Sequence, residues 1–290
     1  MKLAVVDQDV PVLDLVQSFS LEMTAKDIES LSDAAPLIPV GTPISVTYLP
    51  GEEMPARVAA AQAVKALGFV PVPHISARRI LSQADLAQFL SVLDEQVGIE
   101  RAFVIAGDPS APMGPYEDAL AVIRSGMLDN AGIRMVGISG YPEGHPDISK
   151  AKLAQAMKDK LAALADQGRG AEIMTQFAFD AEAILSWLEQ IRDEGVTAPV
   201  RVGVPGPASV KKLIRFAARC GVGASTKVML KYGTSITRLL GTAGPERLIE
   251  DLADRIDPSR HGEVMLHFYP FGGFVDTARF INNHYGIGKA

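Results

Sequence analysis

This chain of 290 residues has one cysteine, one tryptophan and no long apolar run. The single thiol, Cys220, excludes an intrachain disulfide and fits a reducing compartment. No stretch approaches the ~18 uninterrupted apolar residues of a membrane-spanning helix. The first residues carry one cation, Lys2, and a brief apolar run broken by Asp7 and Asp9, unlike a secretory signal. A cytoplasmic location without membrane attachment is therefore expected. Positive charge is not in excess either: a net charge of −6 argues against a nucleic-acid partner held by a basic surface. No Gly-x-Gly-x-x-Gly turn follows an early strand, which argues against an open dinucleotide-binding sheet. No Gly-x-Ser-x-Gly elbow supports a serine hydrolase. No His-x-His, His-Glu-x-x-His or cysteine pair supports a metal, so none is expected. No segment reads as a linker or a low-complexity tract.

Eight short, β-rich apolar runs are present: Phe19–Leu21, Ile44–Thr47, Phe69–Pro73, Ala102–Ile105, Arg134–Ile138, Glu172–Gln176, Val200–Val204 and Val264–Phe268. Helical periodicity fills the intervals at Ala56–Leu67, Ala84–Leu93, Lys150–Ala165, Asp180–Arg192, Ser209–Cys220, part of Ser225–Tyr232 and Pro245–Asp254. Ser82 or Asp85 is placed to cap the second of these helices, and Asp180 the fourth. Eightfold strand–helix alternation predicts an α/β fold, a single-domain (β/α)₈ TIM barrel over residues 1–290 with an N-terminal arm of about 17 residues. The first strand is the least distinct, because Asp14–Leu21 also fits the start of a helix. Leu3–Val12 serves either as an arm or as a segment across the barrel bottom.

Such barrels place their chemistry at the C-terminal strand ends. At or just past those ends stand Glu22, Thr47, His74, Asp108, Tyr141, Gln176 and Pro205. Glu22, between Leu21 and Met23, is a candidate general acid with a raised pKa; its alternative is a surface residue opening a helix. Asp108 follows Gly107, which lets backbone approach a ligand, although Gly-Asp is also a common turn. Gln176, with Phe177 and Phe179 beside it, suits an amide-bearing or heteroaromatic ligand; the aromatics alone equally suit a core. Tyr141 and His145 lie in a loop stiffened by Pro142 and Pro146. Lys227 and Lys231 raise Schiff-base chemistry, but neither ends one of the eight strands. The mixed Val275–Ile281 stretch serves either a core or an interface between copies, which leaves a homo-oligomer open.

Together these segments resemble the methylenetetrahydrofolate reductase family in its short bacterial form, from about Ser18 to Gly286. The matching pieces are Ser20-Leu21-Glu22, Val46-Thr47-Tyr48, Pro73-His74, Gly107-Asp108, Gly140-Tyr141-Pro142-Glu143-Gly144-His145-Pro146, Thr175 to Asp180, Gly203-Val204-Pro205-Gly206 and His267-Phe268-Tyr269. The resemblance implies a barrel that binds FAD at its mouth. Its implied reaction takes 5,10-methylenetetrahydrofolate to the 5-methyl form with NADH or NADPH, in the one-carbon supply to methionine. It implies Glu22 as the general acid and Asp108 as a catalytic acid contacting the pterin near the flavin. Gln176, Phe177 and Tyr269 fall on the substrate side. Thr47, His74, Ile105, Ala106, Gly107, Asp108 again, Tyr116, Tyr141, His145, Lys158 and Lys160 fall among cofactor-binding positions.

The chain departs from the family pattern in three places. Ala106 stands where an Arg commonly precedes Gly-Asp. Ala162 and Leu164 stand where a Lys-x-Lys pattern is usual, with Lys158-Asp159-Lys160 about one turn upstream and Arg169 nearby. Pro270-Phe271-Gly272-Gly273 replaces a segment that often holds a folate-contacting Arg. Fewer cations leave direct hydride transfer from nicotinamide without flavin as an alternative to the flavoprotein. A folate-binding or methyl-transfer partner that reduces nothing is a further alternative, against which Glu22, Asp108 and Gln176 together argue.

Overall fold

Alternating burial along eight segments closes a parallel barrel in the computed structural model, which describes residues 15–220 and 242–287. Its staves are β1 (Ser20–Met23), β2 (Pro43–Val46), β3 (Val70–Ser76), β4 (Arg101–Ile105), β5 (Met135–Gly140), β6 (Gly170–Phe177), β7 (Val200–Pro205) and β10 (Val264–Tyr269). They pair in that order, and β10 closes onto β1 with Ser20 opposite His267 and Leu21 opposite Phe268. A short antiparallel ribbon, β8 (Ala208–Ser209) with β9 (Thr242–Ala243), lies in the long seventh connection.

The helices are α1 (Ile28–Ala34), α2 (Met54–Ala66), α3 (Gln83–Val97), α4 (Ala119–Arg124), α5 (Lys150–Asp166), α6 (Ala181–Asp193), α7 (Val210–Arg219), α8 (Glu246–Ala253), α9 (Pro258–His261) and α10 (Phe274–Tyr285). Their starts are written in the sequence: Ser82 Oγ accepts from Asp85 N, and the Asp180 carboxylate accepts from Glu182 N. On the strands, Leu21, Ile44, Val104, Ile138, Ile173, Val202 and Phe268 turn outward into one core shared with the helices. Alternate positions turn inward. There Val72, Phe103 and Met174 form a small separate apolar cluster. Around it Ser20, Ser45, His74, Glu172, Arg201 and His267 are all buried. Glu172 accepts from Arg201 Nε at 3.0 Å, and Arg101 stands at 3.8 Å from the same carboxylate.

The sequence order of strands holds, with differences at the ends. Strand β3 runs on to Ser76, so His74 sits inside a strand instead of at its end. Strand β6 runs through Phe177, so Gln176 is its penultimate residue, at an irregularity in the pairing with β7 between Met174 and Phe177. Helix α3 extends to Val97, four residues past the expected end, and stops at Gly98 in the left-handed conformation. Residues 15–17 are helical and lead into β1. The Val275–Ile281 stretch lies in α10, where Ala278, Phe280 and Ile281 enter the core. The arm Leu3–Val12, the helix expected within Ser225–Tyr232, and Lys227 and Lys231 lie outside the described residues. Among the described residues no helix is long and apolar enough to cross a membrane.

Candidate active site

Glu22 projects from the third position of β1, opposite Ser45 of β2. Its side chain keeps 22% exposure, and its Oε2 lies 3.9 Å from His74 Nε2. Burial first, and the nearby Asp27 carboxylate second, push its pKa up to about 8. Burial alone pushes His74 down to about 3. Between about pH 3 and pH 8 the two groups therefore face each other as a neutral acid and a neutral imidazole. His74 offers Glu22 no positive charge, so nothing draws the proton away.

His74 also packs on Phe103, ring centroids 4.8 Å apart. Deeper in the barrel, His267 Nδ1 and Ser20 Oγ share a hydrogen bond at 2.8 Å. Burial, then the charge of Arg201, holds His267 well below its ordinary pKa. Tyr269, one turn of the β10 pleat above His267, donates to Thr175 O at 2.9 Å and meets Phe177 edge-on at 5.6 Å. Burial, then Glu22, raises its phenol well above the ordinary range. Five buried polar atoms here lack a hydrogen-bond partner among the described residues: Ser45 Oγ, Thr47 Oγ1, Ser76 Oγ, His74 Nε2 and His267 Nε2. Such a concentration of unsatisfied groups at one end of a barrel suits a polar ligand.

The loops above bring further groups. Gly107 has φ +91, and a Cβ there would run into Ser76 Oγ, so only glycine fits. Asp108 beyond it is 60% exposed and paired with Arg79, whose Nε donates to Oδ1 at 3.0 Å. Ile105 and Ala106 line the approach to this turn and are half-buried. Tyr141 and His145 meet edge to face at 5.4 Å, and Glu143 between them accepts from Phe179 N at 3.1 Å, tying this loop to the end of β6. Gln176 Oε1 accepts from the Phe177 N–H at 3.1 Å, so its side chain folds back on its own backbone.

Not every expected residue joins this group. Tyr116 is buried with its hydroxyl on Met127 Sδ at 3.1 Å. Lys158 is committed to Glu194, at the C-terminus of α6, at 3.1 Å. Lys160, on another face of α5, is 8% exposed and has no acid within ion-pair distance among the described residues. Burial lowers its pKa to about 8, opposed by Asp118. Leu164, where the family pattern places a lysine, is core. Past Tyr269, Phe271 adopts φ +50 and stacks on Phe216 at 4.4 Å, leaving an aromatic wall where the family pattern often holds a cation.

Sequence reasoning missed His267, Arg57 and Arg79. Arg79 had a readable signal, being a cation just past a barrel strand. Arg57 had none, and His267 had only its place beside Tyr269 in a matching segment, because both meet their partners only when the barrel closes. Among the described residues no three of His, Cys, Asp and Glu gather as a metal requires.

Fold and site together define a (β/α)₈ barrel with a neutral carboxylic acid at its C-terminal mouth. The comparisons narrow this. A model of the methylenetetrahydrofolate reductase family matches residues 18–269, and the chain belongs to that family. It is 28% identical over 138 residues to "methylenetetrahydrofolate reductase (NADH) 1" of Arabidopsis thaliana, and 27% over 138 residues to a probable enzyme of that name in Oryza sativa subsp. japonica. Each match covers 42% of this chain and only 23% of the plant protein. Among solved structures, dihydropteroate synthase of Thermus thermophilus superposes with a TM-score of 0.50 over 95% of both chains. At 14% identity that likeness speaks to the barrel alone.

Proposed function

We propose that this chain reduces 5,10-methylenetetrahydrofolate to 5-methyltetrahydrofolate with electrons from NADH or NADPH, through FAD held at the barrel mouth. The observation that carries the reading is Glu22, a carboxylic acid kept protonated to about pH 8 beside a neutral His74. The substrate's methylene carbon bridges two nitrogens. A proton delivered by Glu22 to one of them lets its bond to the bridge break, leaving an iminium on the other that accepts hydride. An acid at its ordinary pKa would have lost that proton near neutrality. The apolar cover of Phe103, Phe177 and Tyr269 keeps water from the iminium. Asp108 and Gln176 bind the folate ring from the rim, and the same residues serve the reverse oxidation of 5-methyltetrahydrofolate.

FAD, when bound, would supply a hydride carrier between nicotinamide and folate. The residues suit it: Thr47 Oγ1 and His74 Nε2 are unsatisfied hydrogen-bonding groups, and Lys160 is a buried amine available to phosphate. Gly107, Tyr141 and His145 complete the set that would hold it, with the backbone of Ile105 and Ala106 alongside. A second reading, hydride transfer straight from nicotinamide, is favoured by the engagement of Lys158 with Glu194 and by Leu164 in the core. A single cysteine supports a reducing, cytoplasmic setting for either.

An absorbance spectrum of the purified protein, then anaerobic NADH, then methylenetetrahydrofolate, tests both. Flavin bands that bleach with NADH and return with folate are the expected result. Folate-dependent NADH loss without flavin bands selects the second reading. No folate-dependent loss of either NADH or NADPH defeats both.

A further inference from the structure

Position 106 holds an alanine, and the cation that reaches this loop comes from the segment after a different strand. Arg79 ends the 3₁₀ turn that follows β3, and its side chain is only 12% exposed although it reaches the loop after β4. That turn is stitched to the loop: Arg78 N donates to Ala106 O at 2.9 Å, Met113 N donates to Arg78 O at 2.8 Å, and Arg78 Nη1 donates to Pro109 O at 3.2 Å. The guanidinium of Arg79 lies 5.4 Å from the centroid of the Tyr48 ring. Tyr48 is itself held by the buried Arg57, 3.6 Å from the same ring and 4.2 Å from Phe89. Two layers of aromatic–guanidinium packing thus fix Arg79 before any ligand arrives.

Its hydrogen bonds are one-sided. Both Nε and Nη2 donate to Asp108 Oδ1, and Oδ2 accepts from no described residue. A forked pair would occupy both carboxylate oxygens. An exposed carboxylate held by one oxygen instead presents the other in a set direction.

Resting on the folate reading above, we propose that Arg79 is a positioning residue for substrate. It aims Asp108 Oδ2 at the adjacent N–H donors of a reduced pterin ring. Holding the acceptor in place before binding removes an ordering cost from association.

Calorimetric titration of tetrahydrofolate into wild type, Arg79→Gln, Arg79→Lys, Asp108→Ala and the Arg79→Gln/Asp108→Ala double variant tests this. Melting temperatures serve as the folding check. Arg79→Gln is expected to weaken binding roughly tenfold, the low end for a charge-assisted hydrogen bond on an exposed acid. Arg79→Lys recovers part of the loss, and KM rises far more than kcat falls. In the Asp108→Ala background the Gln substitution costs nothing further, a null that a merely structural arginine would not give. Equal losses in both backgrounds, or unchanged affinity in Arg79→Gln, would overturn the assignment while leaving the folate reading intact. Wild type that binds no tetrahydrofolate would overturn both.

Discussion

Replacing Glu22 by glutamine tests the acid in two independent ways. Glutamine keeps the shape and cannot ionise. A carboxyl that ordinarily titrates near 4.5 but is held at about 8 costs, at ~1.4 kcal/mol per pH unit, up to about 5 kcal/mol to ionise in the folded chain. The folded state binds the extra proton between pH 4.5 and 8, so wild-type stability is full below 4.5, declines through that window and is level above it. The Gln variant should therefore melt with wild type at pH 4.5 and up to about 10–20 °C above it at pH 9. The kinetic arm follows the same proton. Wild-type folate reduction should hold steady below pH 8 and fall tenfold per unit above it. Glu22→Gln should lose about 10²–10⁴-fold in that step and leave oxidation of nicotinamide by the flavin unchanged. Stopped-flow absorbance separates the two half-reactions. Coincident melting at pH 9 would refute the raised pKa, and folate reduction within tenfold of wild type would refute the acid.

Two further outcomes follow from buried charge. Glu172→Gln leaves Arg201, and Arg101 near it, without a counter-charge inside the barrel, and should cost about 3–5 kcal/mol in urea denaturation; a loss under 1 kcal/mol would mean that water already reaches these guanidiniums. Lys160→Met should stabilise the protein by about 2–3 kcal/mol below pH 8. That advantage should fade between pH 8 and 10.5, because the folded amine, held at about 8, gives up its proton earlier than the unfolded one. The same variant should bind FAD more weakly by fluorescence titration, and unchanged affinity would remove Lys160 from the cofactor's neighbours.

The fold was legible because its signals are local. β-rich runs ending at Leu21, Thr47 and Gln176 mark each strand to within a residue or two of its end, and capping residues such as Ser82 and Asp180 mark helix starts. Candidate residues were legible for the same reason, since strand ends in a barrel all face one mouth. Their exact positions were less so: β3 and β6 lengthened because pairing with neighbours on both sides extends a strand beyond its own apolar run.

What each side chain meets was decided only by closure. Ser20 and His267 are 247 residues apart and share a hydrogen bond because β1 pairs with β10 in a single register. Arg79 finds Asp108 across 29 residues, and Arg201 finds Glu172 across the same separation, through strand order and stagger alone. The neutrality of Glu22 and His74 belongs to this second class. The sequence by itself determined which groups could stand at the mouth, through periodicity. The tertiary structure decided their charge, because only the closed barrel removes the water that would otherwise solvate it.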